Sequence, residues 1–225
     1  MCRVWQDHRA LPGLSGLQGS RCCRSPGAPG LQGVPGADGA TGLQGPAGPQ
    51  GATGGYPVHY IGESYGGGIV FYVYDNGQHG LIAATTDQSN WIQWSNGLLR
   101  KTGSTGDGVG AGAMNTAMIV ATQMADSETG NFAAKVCADY SATAGDVTYG
   151  DWYLPSKHEL NLMYNKIGQG AASPNTNIGG FAAAYYWSSS EYNSGLAWYQ
   201  LFNDGNQFYY FKFINSAYVR AVRAF

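Results

Sequence analysis

Charge is scarce in this chain. Charged side chains make up 12% of its 225 residues, about half the share of an ordinary soluble domain. The twelve Lys and Arg are not clustered, which excludes the basic face that phosphate-backbone recognition needs. Cysteine is equally sparse: of Cys2, Cys22, Cys23 and Cys137, only the last lies beyond residue 55, so that long C-terminal part holds no internal disulfide. No apolar run approaches the roughly 20 residues of a membrane-spanning helix. Met1–Ala10 lacks the apolar stretch of a secretory signal, so export is not visibly encoded there.

Glycine, by contrast, is abundant, with 35 residues. From Gly27 to Gly54 it recurs at every third position without a miss. That period is the signature of a collagen triple helix, in which every third residue faces an axis too crowded for a side chain. Residues 27–55 therefore read as a collagen-like Gly-x-y stalk, one strand of a homotrimer. A Gly/Pro linker would share the composition but needs no strict period. Only Pro29, Pro35, Pro46 and Pro49 pre-set the stalk's backbone, so it needs a neighbouring domain to hold three chains together. Upstream, Gly13, Gly16 and Gly19 begin a run whose next slots are Cys22 and Ser25. Residues 1–26 are thus an irregular or truncated segment, in which Cys22 and Cys23 could crosslink chains in an oxidising compartment.

Residues 56–225 read as the head. Ile69–Tyr74 and Leu81–Thr85 flank an Asp75–Asn76–Gly77 turn, the pattern of a β-hairpin. Residues 97–112 are glycine-rich and read as a loop. Met114, Ala117, Met118, Ala121 and Ala125 fall at helical spacing, as do Phe132, Val136 and Tyr140 with Ala133 and Cys137 beside them. Ser156–Lys157–His158–Glu159 has the form of a capping box ahead of Leu160, Met163, Tyr164 and Ile167, with Gly168 as the stop. Short aromatic strands follow near 185–191, 197–203, 207–213 and 218–224, with Asp204–Gly205 marking a hairpin. The fold class is α+β.

Five ordered blocks carry a resemblance: Gly66–Phe71, His79–Ala84, Asp151–Leu160, Tyr186–Glu191 and Val219–Phe225. Together, over roughly residues 60–225, they resemble the C-terminal domain of the Legionella collagen-like adhesin, a family of bacterial surface and phage-associated proteins. The resemblance implies a homotrimeric head on a triple-helical stalk, extracellular or on the cell surface, that binds sulfated polysaccharides such as a glycosaminoglycan. The strand-rich end also looks like the C-type-lectin-like fold shared with formylglycine-generating enzymes.

Enzymatic chemistry finds no foothold in the motifs. His158–Glu159 begins like a zinc-protease helix, but Leu162 stands where the second His is required. The Gly106–Gly112 stretch lacks the Gly-Lys-Ser/Thr ending of a phosphate loop. An oxidase of the formylglycine-generating kind needs two active cysteines, and Cys137, on an apolar helix face, reads as a small buried hydrophobe. Asn203, Asp204 and Asn206 could contribute to a calcium site, but a hairpin turn explains them more simply. Neither a metal nor a cofactor is expected.

The candidate ligand-binding residues are the basic Arg100, Lys101, Lys157, Lys212, Arg220 and Arg223 and the aromatic Trp187 and Trp198. Tyr199, Tyr209 and Tyr210 are further stacking candidates. Such rings serve equally as sugar platforms and as core. Arg220 and Arg223, three apart in one strand, are expected on opposite faces, so only one of them can meet a ligand. The head carries eight basic against twelve acidic side chains, a balance that weighs against a polysulfate and leaves a neutral glycan or another host-surface ligand open. The expected function is a trimeric, non-enzymatic adhesin with a glycan-binding head. The alternative is a structural spike or phage tail-fibre tip in which the head nucleates the trimer. No nucleic acid and no membrane span enter either reading.

Overall fold

The computed structural model describes residues 27, 30–34, 36, 57–126, 130–214 and 217–225. The chain divides into two units, Met1–Gly51 and Ala52–Phe225. In the first, the described residues are all exposed and lie outside helices and strands. The readings of residues 1–26, of Cys22 and Cys23, and of the remaining glycine triplets fall outside the described residues.

The head is a mixed α+β structure, as its sequence pattern predicts. One sheet has the order β1 (Ser64–Tyr65), β2 (Gly68–Tyr74), β3 (His79–Ala84) and β11 (Val222–Ala224). The second runs β4 (Ser89–Ile92), β10 (Ala217–Val219), β7 (Tyr185–Glu191), β8 (Leu196–Leu201) and β9 (Gln207–Phe211). A separate hairpin, β5 (Ala142–Ala144) and β6 (Val147–Tyr149), was not foreseen. Among the described residues the α-helices are α1 (Ala111–Met124), α2 (Ala133–Ala138) and α3 (Lys157–Ile167), and a short 3-10 turn spans Asp75–Gly77.

The β2–β3 hairpin forms where the Asp-Asn-Gly turn places it. Asp75, Asn76 and Gly77 all take left-handed backbone, with φ of 49°, 53° and 84°, which asparagine and aspartate tolerate and glycine favours. Gly77 has a second constraint, since a Cβ there would stand 2.6 Å from the carbonyl oxygen of His59.

Helix α3 starts as its capping box dictates. The Ser156 hydroxyl accepts from the Glu159 amide and the Glu159 carboxylate accepts from the Ser156 amide. Its buried face, Leu160, Met163 and Ile167, packs with Phe71, Phe181, Tyr186 and Phe202 into one of two cores. The other core gathers Val70, Trp94, Ile119, Phe132, Cys137, Trp187 and Val219. Cys137 is the small buried residue expected, and burial pushes its thiol well above the ordinary value.

Helix α1 turns over relative to expectation. Met114 and Ala117, on its anticipated apolar face, are exposed, while Asn115, Thr116, Ile119 and Gln123 are buried. The inward polar groups each meet a backbone partner. Asn115 exchanges hydrogen bonds with the amide and carbonyl of Gly106, Thr116 with those of Leu154, and Gln123 accepts from the Asn96 amide. Hydrogen bonding to Gly106, Leu154 and Asn96 sets the helix face here, and apolar spacing does not.

The strand expected near 218–224 is two strands in different sheets. β10 runs parallel to β7 and antiparallel to β4, whereas β11 pairs antiparallel with β3. Arg220 sits at the crossing. Its Nε donates to Asp87 Oδ1 at 2.7 Å and its Nη1 to the carbonyls of Ala84 and Gly179, with the guanidinium 4.4 Å above the Phe181 ring.

Candidate ligand-binding surface

The last strand of the second sheet is built for exposure. β8 and β9 pair with Trp198 opposite Tyr209 and Tyr199 opposite Phe208, so successive residues lie on opposite faces. The turn between them is closed by Asp204, whose carboxylate accepts from the Asn206 amide. Asp204 and Asn206 therefore hold a turn, the simpler of the two readings. Because β9 has a neighbour on one side only, Phe208, Tyr209, Tyr210 and Phe211 all remain exposed.

On one face, Tyr192 and Tyr209 stack with centroids 4.2 Å apart and planes within 5°. Trp198 meets both edge-on, at 5.7 and 5.5 Å. Lys157 Nζ stands 4.5 Å above the Trp198 ring and 3.4 Å from Asp107 Oδ2. Asp107 in turn accepts from the His158 amide at 2.7 Å. The first turn of α3 thus sets a cation and a carboxylate at the rim of an aromatic platform, with His158 exposed beside them. Flat apolar rings with a hydrogen-bonding rim suit the apolar face of a sugar ring and its hydroxyls.

On the opposite face, Trp91, Tyr185, Tyr199 and Tyr210 surround an open cavity of about 450 Å³. Tyr185 and Tyr199 stack at 4.5 Å. A larger cleft, about 650 Å³, lies between Ser64–Gly68 and the β5–β6 hairpin. Its glycines answer to the fold: a Cβ on Gly68 would lie 2.1 Å from the Ala83 carbonyl oxygen, and one on Gly66 2.7 Å from Arg223 Nη1.

The eight residues singled out from the sequence do not converge. Trp198 and Lys157 come together, while Lys101 and Arg100 lie exposed elsewhere. Arg100 pairs with Asp126 at 2.8 Å, and the hydrogen bond holds the Asp126 carboxyl below its usual range. The other four are corrected by burial. Trp187 is core, its Nε1 donating to the Ile92 carbonyl. Lys212 is buried against Glu191 Oε1 at 2.5 Å, and Arg220 is committed to the crossing between sheets. Arg223 bonds Asp151 Oδ1 at 2.6 Å and covers the Tyr149 ring at 4.3 Å. Desolvation works against the Asp151 charge, but Arg223 outweighs it and keeps that carboxyl low. Neither Arg220 nor Arg223 faces solvent, because the chain bends between sheets and simple strand alternation does not extend across both.

Tyr192, Asp107 and Trp91 were missed. The hairpin register alone would have brought Trp198 beside Tyr209, but Tyr192 and Asp107 arrive from a separate strand end and loop.

Residues 83–223 match the family described as the Lcl C-terminal domain. The chain belongs to this family. The match takes in the blocks at Asp151–Leu160 and Tyr186–Glu191, most of the last block and two residues of the second, and begins after Gly66–Phe71. Membership places this part of the chain among adhesin-type surface domains. No curated protein matches the chain significantly. Among the described residues, no helix is long and apolar enough to cross a membrane.

Proposed function

We propose that the chain is a trimeric, non-enzymatic adhesin, displayed outside the cell, whose head at residues 56–225 binds a glycan on the Tyr192–Trp198–Tyr209 platform. The observation that carries this is the mutually braced set of rings, exposed Tyr192 and Tyr209 against half-buried Trp198, with Lys157 and Asp107 at its edge. Family membership supports the adhesin part. The charge inventory favours a neutral sugar at this platform over a sulfated glycosaminoglycan, because Lys212, Arg220 and Arg223 are spent on internal pairs. Of the basic residues singled out from the sequence, Arg100 and Lys101 remain as exposed sites away from the platform for an anionic glycan. The reading of the head as C-type-lectin-like is supported by the return of β11 to the sheet begun by β1–β3.

The collagen-like stalk rests on the sequence period. Among the described residues, a Cβ at Gly27, Gly30, Gly33 or Gly36 would meet nothing within 4 Å, and none of the four has the left-handed φ that favours glycine. What supports the triple-helix reading is the strict three-residue period itself, which places glycine wherever three chains would crowd a common axis.

A glycan array probed with the full chain tests the binding function. Trp198→Ala and Tyr209→Ala each weaken binding about tenfold, the loss of roughly 1.4 kcal/mol, with the melting temperature little changed. Retention of binding in ~0.5 M salt marks a neutral sugar, and its loss marks a sulfated one. A chain that binds no glycan on the array supports the spike reading instead, which the uncharged aromatic face around Tyr199 favours.

A further inference from the structure

We propose that the cavity walled by Trp91, Tyr185, Tyr199 and Tyr210 is an aromatic cage that binds a quaternary ammonium group of the choline class. It is a second site, on the sheet face opposite the Trp198 platform, and it stands independently of the glycan reading.

Four strands contribute one ring each. Trp187 of β7 pairs with Tyr199 of β8, and Tyr199 with Phe208 of β9, so alternation puts Tyr185, Tyr199 and Tyr210 on one face of the sheet. Trp91, 64% exposed, joins them from β4. Tyr199 is the pivot of the group. Its ring centroid is 4.5 Å from that of Tyr185 and 5.8 Å from that of Tyr210, and it leans on the buried Trp187 ring at 5.3 Å. The Trp187 indole donates to the carbonyl of Ile92, the neighbour of Trp91, so the ring beneath the cavity also ties down its outer wall. The cage is therefore held open by packing below it.

The chemistry of the lining selects the ligand. Among the described residues no charged side chain lines the cavity, and its four lining side chains offer only three phenols and an indole as polar groups. Burial, with Tyr185 and Tyr210 beside it, raises the pKa of the Tyr199 hydroxyl, which stays neutral. A sugar asks for a directional rim of the kind that Lys157 and Asp107 make on the other face. A primary ammonium would lose hydrogen bonds to water here without replacing them. A trimethylammonium group has no N–H to satisfy, and its diffuse charge is attracted by the electron-rich ring faces. The head also carries eight basic side chains against twelve acidic ones, a net charge of −4 that draws cations toward it. With an open cavity of about 450 Å³, the chain attached to the ammonium can leave through the mouth.

Isothermal titration of the full chain with choline tests this, alongside the uncharged carbon analogue in which a tert-butyl group replaces the trimethylammonium. Choline is expected to bind, and the analogue to bind at least about tenfold more weakly, because only the cation gains from the ring faces. Trp91→Ala and, separately, Tyr210→Ala should weaken choline binding about tenfold. Both positions are exposed, so the melting temperature should barely move. Tyr199→Phe keeps the ring and should stay within about twofold of the unaltered chain, and Met114→Glu, exposed on α1, should bind choline unchanged. Absence of choline binding, equal binding of the uncharged analogue, or full binding by both alanine variants overturns the proposal. Vesicles of phosphatidylcholine and of phosphatidylglycerol separate the sources of the ligand. Binding to the former alone, competed by free choline, assigns a lipid headgroup. Choline binding with no vesicle binding assigns a soluble or polymer-borne choline, and either outcome bears out the cage.

Discussion

Lys212 and Glu191 are paired at 2.5 Å with side chains 0% and 1% exposed. Around this pair the chain closes a long loop onto the second sheet. The Glu191 carboxylate accepts from the amides of Thr102 and Gly103 as well as from Lys212, and Lys212 Nζ also donates to the Arg100 carbonyl while lying 4.4 Å above the Trp94 ring. Burial is the main influence on the Lys212 ammonium and lowers its pKa, with Glu191 partly restoring it. A lysine of this kind is a structural latch.

Removing one partner strands the other's charge. Lys212→Met is expected to cost about 3–5 kcal/mol in urea unfolding. The double variant Lys212→Met with Glu191→Gln costs less than the two single changes added together. Strict additivity in that cycle would mean the pair is not coupled.

Glu159 yields a pH prediction. Its side chain is buried, with Oε1 accepting from the Gly110 amide and the Tyr153 hydroxyl and Oε2 from the Ser156 amide. Desolvation raises its pKa above the ordinary 4.5, against the pull of those hydrogen bonds. The native state therefore keeps a proton that the unfolded chain has lost, and from about pH 4.5 upward this group's contribution to stability falls as pH rises. Glu159→Gln removes that dependence. The difference in melting temperature between unaltered protein and variant should shrink from pH 4 to pH 7, and a difference that grows would reverse the sign argued here.

Local signals in the sequence were read correctly where the interaction is local. Ser156 and Glu159 cap α3 because the box lies within four residues, and Asp75–Gly77 turn because their own backbone preferences suffice. What was illegible depends on distant partners. The inward face of α1 follows Gly106 and Leu154, the split after Val219 follows Asp87 and Ala84, and the platform needs Tyr192 and Lys157 brought to Trp198 from two other elements. Trp187 and Trp198 look alike in sequence, and only the packing of each ring separates core from surface.

The corrected face of α1 can be checked by a pair of substitutions. Met114 is 64% exposed, so Met114→Glu should change stability by no more than about 0.5 kcal/mol. Asn115→Ala deserts both backbone groups of Gly106 and should cost about 1–3 kcal/mol. Equal costs, or a larger one at Met114, would return the apolar face to the core.

Gly112 makes a related point within the same helix. Alanine normally stabilises a helix interior over glycine by roughly 1 kcal/mol. At this position a Cβ would lie 2.3 Å from Glu159 Oε2 and 2.8 Å from both the Leu154 carbonyl oxygen and the Ser156 amide nitrogen. Gly112→Ala should therefore destabilise by about 1–3 kcal/mol through crowding, and a rise in melting temperature would show that α1 can retreat from α3.

Arg220 separates a structural arginine from a ligand-binding one. Its guanidinium reaches Asp87, Ala84 and Gly179 at once and lies over Phe181, an arrangement that uses the planar fork of arginine and that a single ammonium cannot reproduce. Arg220→Lys should thus fail to rescue, leaving the protein destabilised nearly as much as Arg220→Ala, by about 3–5 kcal/mol. Asp87→Asn, which keeps an acceptor oxygen at the same place, should cost less. Below their melting temperatures, the folded variants should bind glycan with unaltered affinity, because the Trp198 platform takes nothing from this side chain. A selective loss of glycan affinity in folded Arg220→Lys would restore this arginine to the binding surface.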